Sequence, residues 1–140
     1  MKTDFDSGLL PLCDILIVDD NAPIRAALAL YLESCGYVVH EAKDGRVALE
    51  ILDRIEVRMI ITDLFMPEFD GLELILSVRK KFPGLEVLVI SGDGLPDLDI
   101  FMEVARQLGV AHRIPKPFEL AHVLEVVRGM IGEARPPVGV

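Results

Sequence analysis

The chain has 140 residues, 51% apolar and 26% charged, the size and balance of one domain with a filled core. Acids outnumber bases, 23 to 14, for a net charge of -9, which argues against a nucleic-acid module, because phosphate contacts need clustered Lys and Arg. No apolar run approaches a membrane span, Asp4 and Asp6 stand where a signal peptide would be basic, and Cys13 and Cys35 have neither CxxC nor metal spacing, so the chain reads as cytoplasmic with reduced thiols.

Residues 1–12 read as a leader, 13–132 as the domain and 133–140 as a flexible tail. The first strand is expected over 14–18. Asp20-Asn21 and Pro23 open a helix whose inner face is Ile24, Leu28, Tyr31 and Cys35, and Gly36 stops it. A strand over 37–41 follows, then a helix from Asp44-Gly45 burying Ala48, Leu49 and Leu52. The apolar run Met59-Ile60-Ile61-Thr62 is a third strand ending on Asp63. Asp70 and Glu73 form a capping box for the next helix, with Leu74, Ile75 and Val78 inward and Pro83-Gly84 at its end. The fourth strand is expected over 86–90, and Ser91-Gly92-Asp93-Gly94 forms a loop. A helix from about Asp97 buries Phe101, Ala105 and Leu108 and ends at Gly109. The fifth strand is expected over 110–114. Pro117 opens the last helix, with Leu120, Val123, Leu124, Val127 and Ile131 inward. Strict alternation of strand and helix predicts an α/β fold: a doubly wound parallel sheet with helices on both faces. Continuous apolar strands suit a sheet covered on both sides.

Polar groups then gather where the strands end. Asp19 and Asp20 follow the first strand, Asp63 ends the third, Ser91 follows the fourth and Lys116 follows the fifth. That edge is where open α/β sheets bind ligands. Charges 4 Å apart repel by roughly 4 kcal/mol at an effective dielectric of about 20. A lysine or a hard divalent cation with oxygen ligands, such as Mg2+, would compensate. A carboxylate held beside both is able to attack phosphorus, with Asp63 as the acceptor of choice and Ser91 as a hydrogen-bond donor to a phosphoryl oxygen.

The set Val18-Asp19-Asp20, Asp63-Leu64-Phe65-Met66-Pro67, Asp70-Gly71, Ser91-Gly92 and Lys116-Pro117-Phe118 resembles the receiver domain of two-component response regulators, in order and over nearly all of Cys13 to Ile131. The resemblance implies a flavodoxin-like five-stranded sheet, order 2-1-3-4-5. It implies that Asp63 accepts phosphate from a histidine kinase or a histidine phosphotransfer protein. Asp19 and Asp20, with Asp63 and the backbone carbonyl of Phe65, would hold Mg2+; Ser91 and Lys116 would engage the phosphoryl group. A cis Lys116–Pro117 bond is implied as well. The domain would be a signalling switch rather than an enzyme, with intrinsic self-phosphorylation and autodephosphorylation. Its downstream partner is a protein that the sequence does not specify, and a homodimer stays open.

One departure stands out. Many receivers carry Tyr or Phe three residues before the lysine; here that position is Arg113. Phe65, bulky and apolar two residues after the acceptor, is expected to hinder the water that would hydrolyse the phosphoryl group. Rival functions are a phosphorelay intermediate passing phosphate to another histidine, a small Asp-nucleophile phosphatase, and a flavin or dinucleotide binder. The phosphatase class wants DxD, and Phe65 occupies the second Asp position. The cofactor class wants a phosphate loop after the first strand, where Asp19-Asp20-Asn21 would repel phosphate.

Overall fold

Alternation in sequence becomes layering in space. In the computed structural model, residues 12–66, 71–92 and 96–135 are described. They form β1 (Leu12–Val18), α1 (Ala22–Ser34), β2 (Val39–Ala42), α2 (Gly45–Leu52), β3 (Glu56–Asp63), α3 (Gly71–Lys81), β4 (Glu86–Gly92), α4 (Leu98–Gln107), β5 (His112–Lys116) and α5 (Leu120–Ile131). The five strands are parallel in the order β2-β1-β3-β4-β5.

Side chains alternate across each strand, and each face of the sheet builds its own core. Leu16, Val18, Ile60, Val87 and Val89 face α2, α3 and α4, meeting Ala48, Leu52, Leu74, Ile75, Val78 and Ala105. Ile15, Ile17, Met59, Ile61, Leu88, Ile90 and Ile114 face α1 and α5, meeting Leu28, Ala29, Leu32, Val123, Leu124 and Val127. The expected inner residues of α3 are buried as read. In α1 the buried set is Leu28, Ala29 and Leu32, one step round the helix from the expected stripe.

Two strands start later than their apolar runs suggest. Tyr37 is buried ahead of β2, and its hydroxyl donates to the carbonyl of Gly132 at 2.7 Å. Val110 is buried ahead of β5 because it closes the end of α4: its N–H donates to the carbonyl of Ala105, and Gly109 takes the left-handed φ of 90° that such a helix end favours. β5 then runs through Pro115, which an edge strand tolerates because the missing N–H need not join a ladder.

Asn21 caps α1 by accepting from Ile24 N at 3.0 Å, and Asp44 caps α2 by accepting from Val47 N at 3.0 Å. Pro67, Asp70, Asp93 and Gly94 lie outside the described residues, and so does the capping box expected of Asp70 with Glu73. The tail expected from residue 133 is held as far as Arg135, whose Nη2 donates to Asp14 Oδ1 at 2.8 Å.

Candidate functional site

The strand order reverses direction at β1: one crossover runs outward to β2, and the next returns past β1 to β3. The crevice beyond the C-terminal ends of β1 and β3 is therefore the switch point of the sheet. Register brings the acids together there. Val18 pairs with Thr62, which sets Asp19 level with Asp63, and Asp63 pairs with Ile90, one residue before Ser91. Oxygen atoms of Asp19, Asp20 and Asp63 all lie within 4.8 Å of one another. Among the described residues this is the one acid cluster with metal-ligand spacing.

Lys116 closes the cluster. Its Nζ donates to Asp63 Oδ2 at 2.9 Å and to Asp19 Oδ2 at 3.1 Å. The three side chains are 8–20% exposed, dry enough that the attraction is only partly screened. Burial alone would push the Lys116 ammonium toward losing its proton. The hydrogen bonds and charges of Asp63 and Asp19 outweigh burial, so its pKa is raised and it stays charged. Asp20 is exposed and lacks such a partner. Partial burial, then the charges of Asp19 and Asp63, raise its pKa above the ordinary carboxylate value. The Lys116–Pro117 peptide bond is cis.

Backbone contacts orient the acids further. Asp19 Oδ1 accepts from Asn21 N at 2.9 Å, and the Asp19 carbonyl accepts from Arg25 Nη1 at 2.7 Å. Asp63 Oδ1 accepts from Phe65 N at 3.2 Å. The Phe65 ring sits edge-on to Phe101 of α4, with centroids 5.2 Å apart.

The sequence-predicted residues Asp19, Asp20, Asp63 and Lys116 thus meet at one edge. Ser91 lies fully buried at the end of β4, and its Oγ accepts from Arg113 Nε at 2.9 Å. Two contributors escaped the sequence reading. Arg25, one turn into α1, braces Asp19; a basic residue six positions after an acid gives little warning of that. Gly71 opens α3 against β3: a Cβ there would stand 2.1 Å from the Asp63 carbonyl oxygen and 2.8 Å from Leu64 Cα. Its N–H donates to the Leu64 carbonyl at 2.9 Å. Asp70-Gly71 was visible as a motif, but the steric demand on the glycine was not.

The response regulator receiver domain family model matches residues 15–128. This chain belongs to that family. A receiver-type relative is the sensor kinase CckA of Brucella abortus, 33% identical over 119 residues, which cover 84% of this chain and 12% of that protein. The transcriptional regulatory protein GlrR of Escherichia coli is 32% identical over 123 residues, 87% of this chain and 27% of that protein. The chain therefore spans only a small part of these relatives' length. Among solved structures, a response regulator receiver protein from Pseudomonas putida is 35% identical with a TM-score of 0.74, covering 86% of this chain and 97% of that one. The receiver domain is a module of two-component signalling rather than an enzyme of the usual kind, and its sheet has the flavodoxin-like order expected from sequence. No helix among the described residues is long and apolar enough to cross a membrane.

Proposed function

We propose that this receiver domain accepts a phosphoryl group on Asp63, that the group comes from a phosphohistidine of a histidine kinase or histidine phosphotransfer protein, and that the change switches a surface read by another protein. The observation that carries the proposal is Lys116 Nζ bridging Asp63 and Asp19 inside a crowded acid cluster at the switch point. A resting protein gains nothing from crowding three carboxylates around one ammonium, unless a further cation and an anionic group complete the site.

Asp63 Oδ would attack phosphorus while the bond from phosphorus to the donor's imidazole nitrogen, or to the acetate oxygen of acetyl phosphate, breaks and the leaving group keeps the electron pair. Lys116 stays charged and would turn from the Asp63 carboxylate to a phosphoryl oxygen. Ser91 would donate its hydroxyl hydrogen to another. Three hard carboxylate oxygen donors within 4.8 Å fit a divalent cation of the Mg2+ kind, held by Asp19, Asp20, Asp63 and the Phe65 carbonyl. Bound Mg2+ would supply positive charge against the phosphoryl oxygens. Phe65 would slow hydrolysis by limiting water at the acceptor.

Such a site also takes phosphate from small donors and loses it to water, which is the intrinsic self-phosphorylation and autodephosphorylation expected of the domain. The place for this exchange with a kinase is the cytoplasm. Onward transfer to a second histidine uses the same acceptor chemistry in reverse, and the sensor kinase among the relatives favours keeping that reading. The test is incubation with acetyl phosphate and Mg2+ followed by intact mass. One alkali-labile phosphoryl group on the parent and none on Asp63→Asn is the expected result. An adduct that persists in Asp63→Asn would sink the assignment.

A further inference from the structure

At the end of the sheet opposite the acid cluster, a groove of about 650 Å³ crosses the base of the domain. That is the size of a ligand pocket rather than of a packing defect. It passes beneath the first residues of β1, β3 and β4, among the C-terminal ends of α2, α3 and α5. Ile55, Val57, Phe82 and Met130 are half-buried along it, and Leu12 at its edge is 39% exposed. Its rim is acidic: Glu56 and Glu86, the first residues of β3 and β4, are exposed. Arg58 is the cation among the described lining residues, and it already donates to Asp14 and to the carbonyl of Ile131. The groove therefore suits an uncharged apolar ligand rather than an anion or an acidic peptide.

The chain carries such a ligand beside it. Leu12 opens β1 and lines the groove, so the residues before it join the domain at the groove's edge. They read Ser7-Gly8-Leu9-Leu10-Pro11, a stretch without charge, and the nearest charge upstream is Asp6. Neighbouring strands lie about 4.8 Å apart, which puts β4 about 10 Å from β1, and three extended residues span about 10 Å. Leu9 and Leu10 are thus within reach of the floor beneath β3 and β4. A segment tethered this closely meets the groove at a roughly millimolar effective concentration, ahead of a second copy or another protein.

We infer that Ser7-Gly8-Leu9-Leu10-Pro11 docks in the groove at the base of the sheet, with the Leu9 and Leu10 side chains on its apolar floor. The segment is then a working part of the domain. It covers an apolar surface at which chains would otherwise associate, and it ties the start of β1 to the ends of α3 and α5. The groove lies at the opposite end of the strands from Asp63, so the inference stands independently of the phosphoacceptor reading.

The test reads Met130 in the full chain. Its methyl resonance, assigned through Met130→Leu, is followed by NMR with a nitroxide attached at Ser7→Cys in a Cys35→Ser background. Cys13 is fully buried and escapes the label. The oxidised nitroxide is expected to bleach the Met130 signal, and the further pair Leu9→Ser/Leu10→Ser to restore it. Leu9→Ala/Leu10→Ala should restore it in part, and it decides the matter if the serine pair perturbs the fold. A Met130 signal that survives the label overturns the inference. So does one that stays bleached with both leucines replaced, because a tether alone would bring the label that near. Mixing spin-labelled chains with isotope-labelled, unmodified ones separates the source. Bleaching across chains would give the groove to the segment of a second copy and overturn docking within one chain. If the signal survives, a dimer in sedimentation would hand the groove to the folded face of a second copy, and a monomer would leave it to another protein.

Discussion

The two ends of the sheet hold buried acid and cation in opposite proportion. At the C-terminal end, Asp19 and Asp63 share one ammonium, Lys116, and exposed Asp20 crowds in beside them. At the N-terminal end, a single acid, Asp14, 2% exposed, has two guanidinium partners: Arg135 at 2.8 Å and Arg58 at 3.4 Å. Its other oxygen accepts from Val38 N at 2.8 Å. Arg58 also donates to the carbonyl of Ile131, and Tyr37 to that of Gly132, so the segment after α5 is pinned to the strands. At that end the carboxylate of Asp14 is saturated with donors. The other is left short of positive charge, which is what a binding site for a cation and an anion together requires. Buried charge by itself says little about function; its balance says more.

Substitutions sharpen or break that contrast. The largest effect belongs to the saturated end: Asp14→Ala should cost about 3–4 kcal/mol in urea unfolding, because two guanidinium groups and an amide lose their acceptor. Its adduct formation on Asp63 should be that of the parent under conditions where both are folded. A lost adduct in a folded Asp14→Ala would mean that the two ends are coupled.

The neighbouring thiol gives the saturated end a pH signature. Burial pushes Cys13 up from 9.0 to about 11. Below pH 9 the thiol is protonated folded or unfolded and has no effect. Between about 9 and 11 the unfolded chain releases the proton and the folded one keeps it, so stability falls by roughly 2–3 kcal/mol. Cys13→Ala should flatten this part of the alkaline limb. Lys116, also raised, loses stability in the same direction, so some slope remains. An unaltered limb in Cys13→Ala would count against a buried thiol.

Gly71→Ala tests the working end by steric means. The new methyl must push the Asp63 backbone, at a cost of about 2 kcal/mol. Adduct formation should drop more than Mg2+ binding, since the acceptor moves relative to Lys116. Equal losses in both would point to general unfolding.

The smallest effect is the most diagnostic. Ionised Asp20 is disfavoured in the fold, so its raised pKa means that stability is lost as pH rises from the unfolded value through the folded one. Asp20→Asn should therefore melt slightly higher than the parent at neutral pH in chelator, by a few tenths of a kcal/mol (about that, given its exposure), with the gain gone in acid. Added Mg2+ should reverse the ranking by stabilising the parent alone. A variant less stable than the parent in chelator would contradict the crowding.

Much of this was legible beforehand, for identifiable reasons. β1, β3 and β4 are covered on both faces, so their apolar runs mark them without help from turns. Asp19, Asp63 and Lys116 were legible because a charge ending such a run has few structural uses. β5 was displaced by two residues because Val110 looked like strand and served as a helix end, while Pro115, past the expected end, lies within the strand. The Asp14 cluster was missed: an acid between Cys13 and Ile15 in an apolar run was a signal, but its partners, Arg58 and Arg135, lie far off in sequence. The Arg113–Ser91 bond depends on register between two strands, which spacing alone does not fix.

The glycine that opens α3 has a wider consequence. With no room for even a methyl between that helix and the acceptor strand, the two form a single unit on the β3 side. On the phosphoacceptor reading proposed above, a shift of the Asp63 backbone would carry α3 with it.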